Sequence, residues 1–222
     1  MNIELINKLP ILRTIFKIEW RAKYIAKRNH LSFPSNPSEI LQKYQKVVAP
    51  LPFVFTKKWE LLTNTPELCL SYHNQIYFNY GWAAYIILHD NDFTMNAFRI
   101  SIGHEFTHSK GDFKIKSSRK LTRTCKKFVS WTNEIHADFG GVQCMGDNKR
   151  ENLINSIQFK INIKKNPNRS SISHPSWKAR LFYAKNYDFD SSLIKKIAND
   201  TGCTNSNLIC DVCMYFQDIY LH

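Results

Sequence analysis

The chain has 222 residues, enough to bury a sizeable core, and 43% hydrophobic and 14% aromatic content is that of a globular protein. Its 31 Lys and Arg against 18 Asp and Glu give a formal charge of +13, yet no nucleic-acid-binding motif accompanies the excess. No specific nucleic-acid binding is therefore expected. Six cysteines are too few for a disulfide scaffold at this length. Cys203, Cys210 and Cys213 crowd the C-terminal end without the paired C-x-x-C spacing of a zinc knuckle, so ordinary reduced thiols are expected. No secretory leader is legible, and apolar runs such as 82–88 are far shorter than the roughly 20 residues of a membrane span. These features predict a cytoplasmic protein.

In chain order, Ile11, Ile15, Ile18, Ala22 and Ile25 recur at helical spacing and predict an amphipathic helix over 11–28. Its apolar stripe is expected to pack on the domain. Its basic positions leave open a weak association with membrane surface or polyanion. A turn-rich break at 32–38 precedes a short helix over 39–47, and 53–55 reads as a strand. Residues 68–72 and 75–79 read as a hairpin turning at His73-Asn74. The fold class expected is α+β: a mainly helical domain with a small sheet. Residues 75–79 are the candidate edge strand bordering the active-site cleft, where extended substrate could add as a further strand.

The next helix, expected over about 93–109, contains His104-Glu105-Phe106-Thr107-His108. Residues four apart share one helix face, so both imidazoles can reach one zinc ion while Glu105 stands beside its open side as a base for water. A basic stretch over 114–120 reads as a solvated loop, and the following helix, about 128–145, supplies a third ligand, Glu134. Two histidines, a glutamate and a water make a catalytic rather than a structural zinc site. Asp138, one turn later, can accept the second ring N–H of a ligand histidine. His136 projects from a different face. Gly140 and Gly141 suggest close packing of this helix on the first. Further helices are expected over 151–164, from Pro175 to about 185, from a cap at Asp190 to near Gly202, and over 207–221.

These motifs resemble the gluzincin metallopeptidases, and within them the M48 (Ste24/HtpX-type) family. The resemblance is carried by His104-Glu105-Phe106-Thr107-His108 with Gly111-Asp112 behind it, by Glu134-Ile135-His136-Ala137-Asp138, which matches E-x-x-A-D, and by His174-Pro175-Ser176-Trp177-Lys178-Ala179-Arg180, which matches H-P-x-x-x-x-R. The ImmA/IrrE-like zincins share a similar second helix. The resemblance covers roughly residues 93–185, and one zincin-like domain is expected over 1–222: an N-terminal helical segment (1–48), a sheet region with the active-site helix (49–110), and a helical part with the third ligand (111–222). It implies one Zn²⁺ per chain on His104, His108 and Glu134, and hydrolysis of peptide or protein substrates, as an endopeptidase, by Glu105-assisted attack of zinc-bound water. His174 would stabilise the developing oxyanion or latch the metal, and Arg180 would brace Glu134 or Asp138 or bind substrate. Two other readings stand beside this one: a regulatory zincin acting on one partner protein, and a zinc-stabilised binding protein without turnover.

Overall fold

Six helices succeed one another among the described residues: α1 (Asp92–Gly111), α2 (Arg123–Gly141), α3 (Lys149–Ile163), α4 (Trp177–Asn186), α5 (Ser191–Thr201) and α6 (Ser206–Tyr220). This computed structural model describes residues 59–62, 69–72 and 75–79 by their backbone, and residues 92–115, 121–143, 145–163 and 166–220. The helices expected over 11–28 and 39–47, the strand at 53–55 and the loop over 116–120 lie outside the described residues. The chain divides into two units, Met1–Ile102 and Gly103–His222, with the boundary inside α1.

The expected α+β class is overturned. Helices make up the described part of the molecule from Asp92 onward, and no strand occurs among the described residues of the second unit. Among the described residues, strand ladders are limited to three short backbone stretches of the first unit, β1 (Trp59–Leu62), β2 (Cys69–Tyr72) and β3 (Gln75–Asn79). Their order is β1-β3-β2, so β3 lies between a parallel and an antiparallel neighbour. Residues 75–79 are therefore not an edge strand. Their backbone groups are already shared between two neighbours, which leaves no free side for an added substrate strand.

The second unit is built around α2. Thr122 caps it, its Oγ1 accepting from the Cys125 amide at 3.2 Å. The inward positions Phe128, Val129, Trp131 and Ile135 recur at three- and four-residue spacing and are buried. Against them pack Leu193, Ile194, Ile197 and Ala198 of α5 and Leu208, Val212 and Phe216 of α6. Asp190 caps α5 through Oδ1 to the amides of Ser192 and Leu193, and Gly202 ends it at φ 72°. Ser176, directly after Pro175, caps α4 by accepting from the Ala179 amide at 3.1 Å.

The feature that positions the site is a helix crossing at glycines. A Cβ on Gly103 of α1 would stand 2.5 Å from the Gly141 carbonyl oxygen and 2.9 Å from its Cα. A Cβ on Gly140 would stand 2.5 Å from both Oγ1 and Cγ2 of Thr107. The Thr107 hydroxyl is itself tied back to the Gly103 carbonyl at 2.8 Å. The C-terminal end of α2 thus lies directly on α1 at the two residues that precede the histidines, Gly103 and Thr107. In an isolated helix Gly103→Ala would gain about 1 kcal/mol in propensity. Here the clash is with backbone, which no rotamer change relieves, and overpacking of this kind costs about 1–3 kcal/mol. Gly103→Ala should therefore lower the urea midpoint. A midpoint equal to or above the native one would show that the helices have room to part.

Candidate metal centre

Each of the three expected ligands reaches one point. His104 and His108 are one turn apart on α1, and the crossing brings Glu134, on α2, against both. The Nε2 atoms of the two histidines are 3.1 Å apart. Glu134 Oε1 lies 3.4 Å from His108 Nε2, and Oε2 lies 3.6 Å from His104 Nε2. Among the described residues these three form the group of His, Cys, Asp and Glu side chains able to hold a metal ion. Donor atoms bonded at about 2.0–2.1 Å to a four-coordinate zinc stand about 3.3 Å from one another. The two Glu134 distances end on different oxygens; with one donor atom taken from each residue, the three lie within 4.8 Å of one another, close enough to hold one ion.

Both ring nitrogens that face away from this point are held by carboxylates. His104 Nδ1 meets Asp138 Oδ1 at 3.1 Å, and His108 Nδ1 meets Asp112 Oδ1 at 2.8 Å. Such contacts fix the tautomer that leaves Nε2 as the metal-facing atom. Asp138 is thus in contact with the ring nitrogen of His104 that faces away from Glu134. Asp112 does the same for the second histidine, and its role was legible as a carboxylate four residues after His108 on the same helical face.

Arg180 lies behind this pair, only 5% exposed. Its Nε donates to Asp138 Oδ2 at 2.7 Å, Nη2 donates to Asp138 Oδ1, and Nη1 reaches Glu134 Oε2 at 3.4 Å. The guanidinium lies over the Trp177 ring at 4.0 Å. Of the two expected roles, bracing Glu134 and Asp138 is therefore the observed contact. His174 is 61% exposed, with Nε2 at 3.3 Å from Glu134 Oε1 and Nδ1 at 2.7 Å from the Ser173 hydroxyl. Its loop is anchored to α2 by the Trp131 indole N–H, which donates to the Ser171 carbonyl at 3.0 Å. His136 is buried instead between Phe189 and Phe216, with centroids at 5.2 and 4.6 Å. Glu105 follows His104 on α1 and is half-buried.

The electrostatics follow from this packing. Burial pushes the His104 pKa down, but hydrogen bonds with Asp138 and Glu134 outweigh it and leave a net rise. For His108 burial is again opposed, by Asp112 and Glu134, and the pKa is raised to about 10. Glu134 and Asp138 are held low against burial: Glu134 by the two histidines and Arg180, Asp138 by Arg180 and His104. Burial drives His136 the other way, to about 4, so its ring is neutral at pH 7. The cluster stabilises positive charge at the point where the three ligands meet.

Removing one member of a buried ion pair leaves the other charge unpaired, at a cost of about 3–5 kcal/mol. Arg180→Met, which keeps most of the stem, should lose about that much in urea unfolding, and adding Asp138→Leu should restore part of it. A loss of less than about 1 kcal/mol would put this contact in the class of solvated surface pairs.

No family model, curated protein or solved structure matches the chain, so the likeness to gluzincins rests on the motif residues themselves.

Proposed function

We propose that the protein is a zinc-dependent peptidase whose ion is held by His104, His108 and Glu134. The observation that carries this reading is the ligand triangle, with both histidines backed by carboxylates through their other ring nitrogens. When bound, the metal would supply Lewis-acid activation of water and of the scissile carbonyl. Glu105, next to the first ligand, takes the proton from the attacking water and passes it to the leaving amine. Asp138 and Asp112 hold the ligand histidines in the required tautomer. Arg180 holds Asp138 and Glu134 and so fixes the third ligand without touching substrate. His174, exposed and within reach of Glu134, is the side chain available to stabilise negative charge on the attacked carbonyl. An endopeptidase acting on peptide or protein substrates in the cytoplasm is the form proposed. No helix among the described residues is long and apolar enough to cross a membrane.

The purified protein should hold about one Zn²⁺ per chain. His104→Ala should lose it, while Glu105→Gln should retain it and lose peptide hydrolysis in a library digest. Equal metal content in the native protein and the His104→Ala, His108→Ala double variant would end the proposal. Asp112→Asn and Asp138→Asn should each weaken zinc affinity by roughly 10–100-fold, measured by chelator competition. Unchanged affinity in either would remove that carboxylate from the account.

A further inference from the structure

We propose that Cys125 and Cys203 form an oxidation site, closed to a disulfide by hydrogen peroxide, which staples the first turn of α2 to the turn between α5 and α6. The site is independent of the peptidase reading above. Both residues are free thiols, each 5% exposed. Cys203 S–H donates to Cys125 Sγ at 3.6 Å, so the two sulfurs touch across 78 positions of sequence.

The surroundings permit closure. Disulfide sulfurs stand about 2.05 Å apart, so the pair has to approach by about 1.5 Å. Cys203 lies between Gly202, which ends α5 at φ 72°, and Ser206, where α6 begins. Its side chain therefore belongs to a turn and not to the interior of a helix. Cys125 is three residues past Thr122, which caps α2. A Cβ on Gly202 would meet Thr124 Cγ2 at 3.7 Å, an ordinary contact, so the two segments lie together without compression.

Thr124, Gly202 and Thr204, which flank the pair in sequence, are exposed, so each sulfur lies one residue beneath the surface. A small uncharged oxidant suits that depth. The Asn205 amide donates to Cys203 Sγ, which favours the thiolate there and makes Cys203 the attacking sulfur. That thiolate attacks one peroxide oxygen and the O–O bond breaks. The departing hydroxide takes up the proton lost by the thiol and leaves as water, and Cys203 becomes a sulfenic acid. Cys125 Sγ then attacks the Cys203 sulfur, the S–O bond breaks, and the hydroxyl leaves with the Cys125 proton as a second water. The two thiols lose two electrons and the peroxide gains them. Burial raises the Cys203 pKa overall, so the thiolate is scarce and the site answers sustained oxidation and not a brief pulse. The closed loop encloses Glu134, Asp138 and Arg180, and a cross-link of that span restricts the unfolded chain and favours the folded one.

The test treats the purified full chain with hydrogen peroxide. One disulfide per chain should form, read as the loss of two hydrogen masses and two titratable thiols. The urea midpoint should rise and return to its starting value after dithiothreitol. Cys210→Ser, at an exposed thiol, should leave both changes intact, whereas Cys125→Ser and Cys203→Ser should each abolish them. If a serine variant fails to fold, a tryptic digest of the oxidised native chain decides, and linked peptides whose fragments place the bond on Cys125 and Cys203 support the site. A Cys125 that stays a free thiol, a bond from Cys125 to Cys210 or Cys213, or a Cys125–Cys203 bond with an unchanged urea midpoint overturns the proposal.

Discussion

The site depends on the contact of two helix backbones. With Gly103 against Gly141 and Gly140 against Thr107, α1 and α2 approach more closely than a Cβ on Gly103 or Gly140 would permit. That approach lets a short carboxylate on α2 reach two imidazoles on α1. Adding one methyl group at the crossing would shift Glu134 relative to His104 and His108 without touching any of the three, because interiors packed at crystal-like density transmit strain.

Around that crossing the charges are arranged in layers. The two histidines and Glu134 face one point, Asp112 and Asp138 stand behind the histidines, and Arg180 stands behind Asp138 and Glu134. Each layer supplies the partner that the previous one requires, which is how buried ionised groups are tolerated. Trp177 completes the stack by covering the guanidinium. The carboxylates around the imidazoles raise the histidine pKa values, and the histidines and Arg180 in turn hold Glu134 and Asp138 low.

The remaining elements hold this arrangement from outside. Trp131 fixes the loop that carries His174, Asn133 fixes the turn after α1, and Tyr215 of α6 fixes the Asp112 backbone. Because Trp131 and Asn133 flank Thr132 on α2, the helix that supplies Glu134 also sets the surfaces on either side of the site.

The sequence by itself determined what obeys local rules. Helical spacing put His104 and His108 on one face of α1 and Glu134 and Asp138 on one face of α2, and Asp190 with Gly202 marked the ends of α5. These features rest on contacts within a few residues, and the alphabet of caps and periods encodes them directly. The expectation of a sheet edge at the cleft failed because strand order is non-local: β3 pairs with β1 as well as with its hairpin neighbour β2, which no pattern within 75–79 could reveal. Gly103 gave no local signal either, since a helical glycine reads as a weakness until the backbone opposite it is known. Whether Arg180 braced the carboxylates or faced substrate was likewise open, because 42 residues separate it from Asp138. Only the tertiary structure decided these points, since each depends on which distant backbone arrives at a given surface, and spacing along the chain carries no such distance.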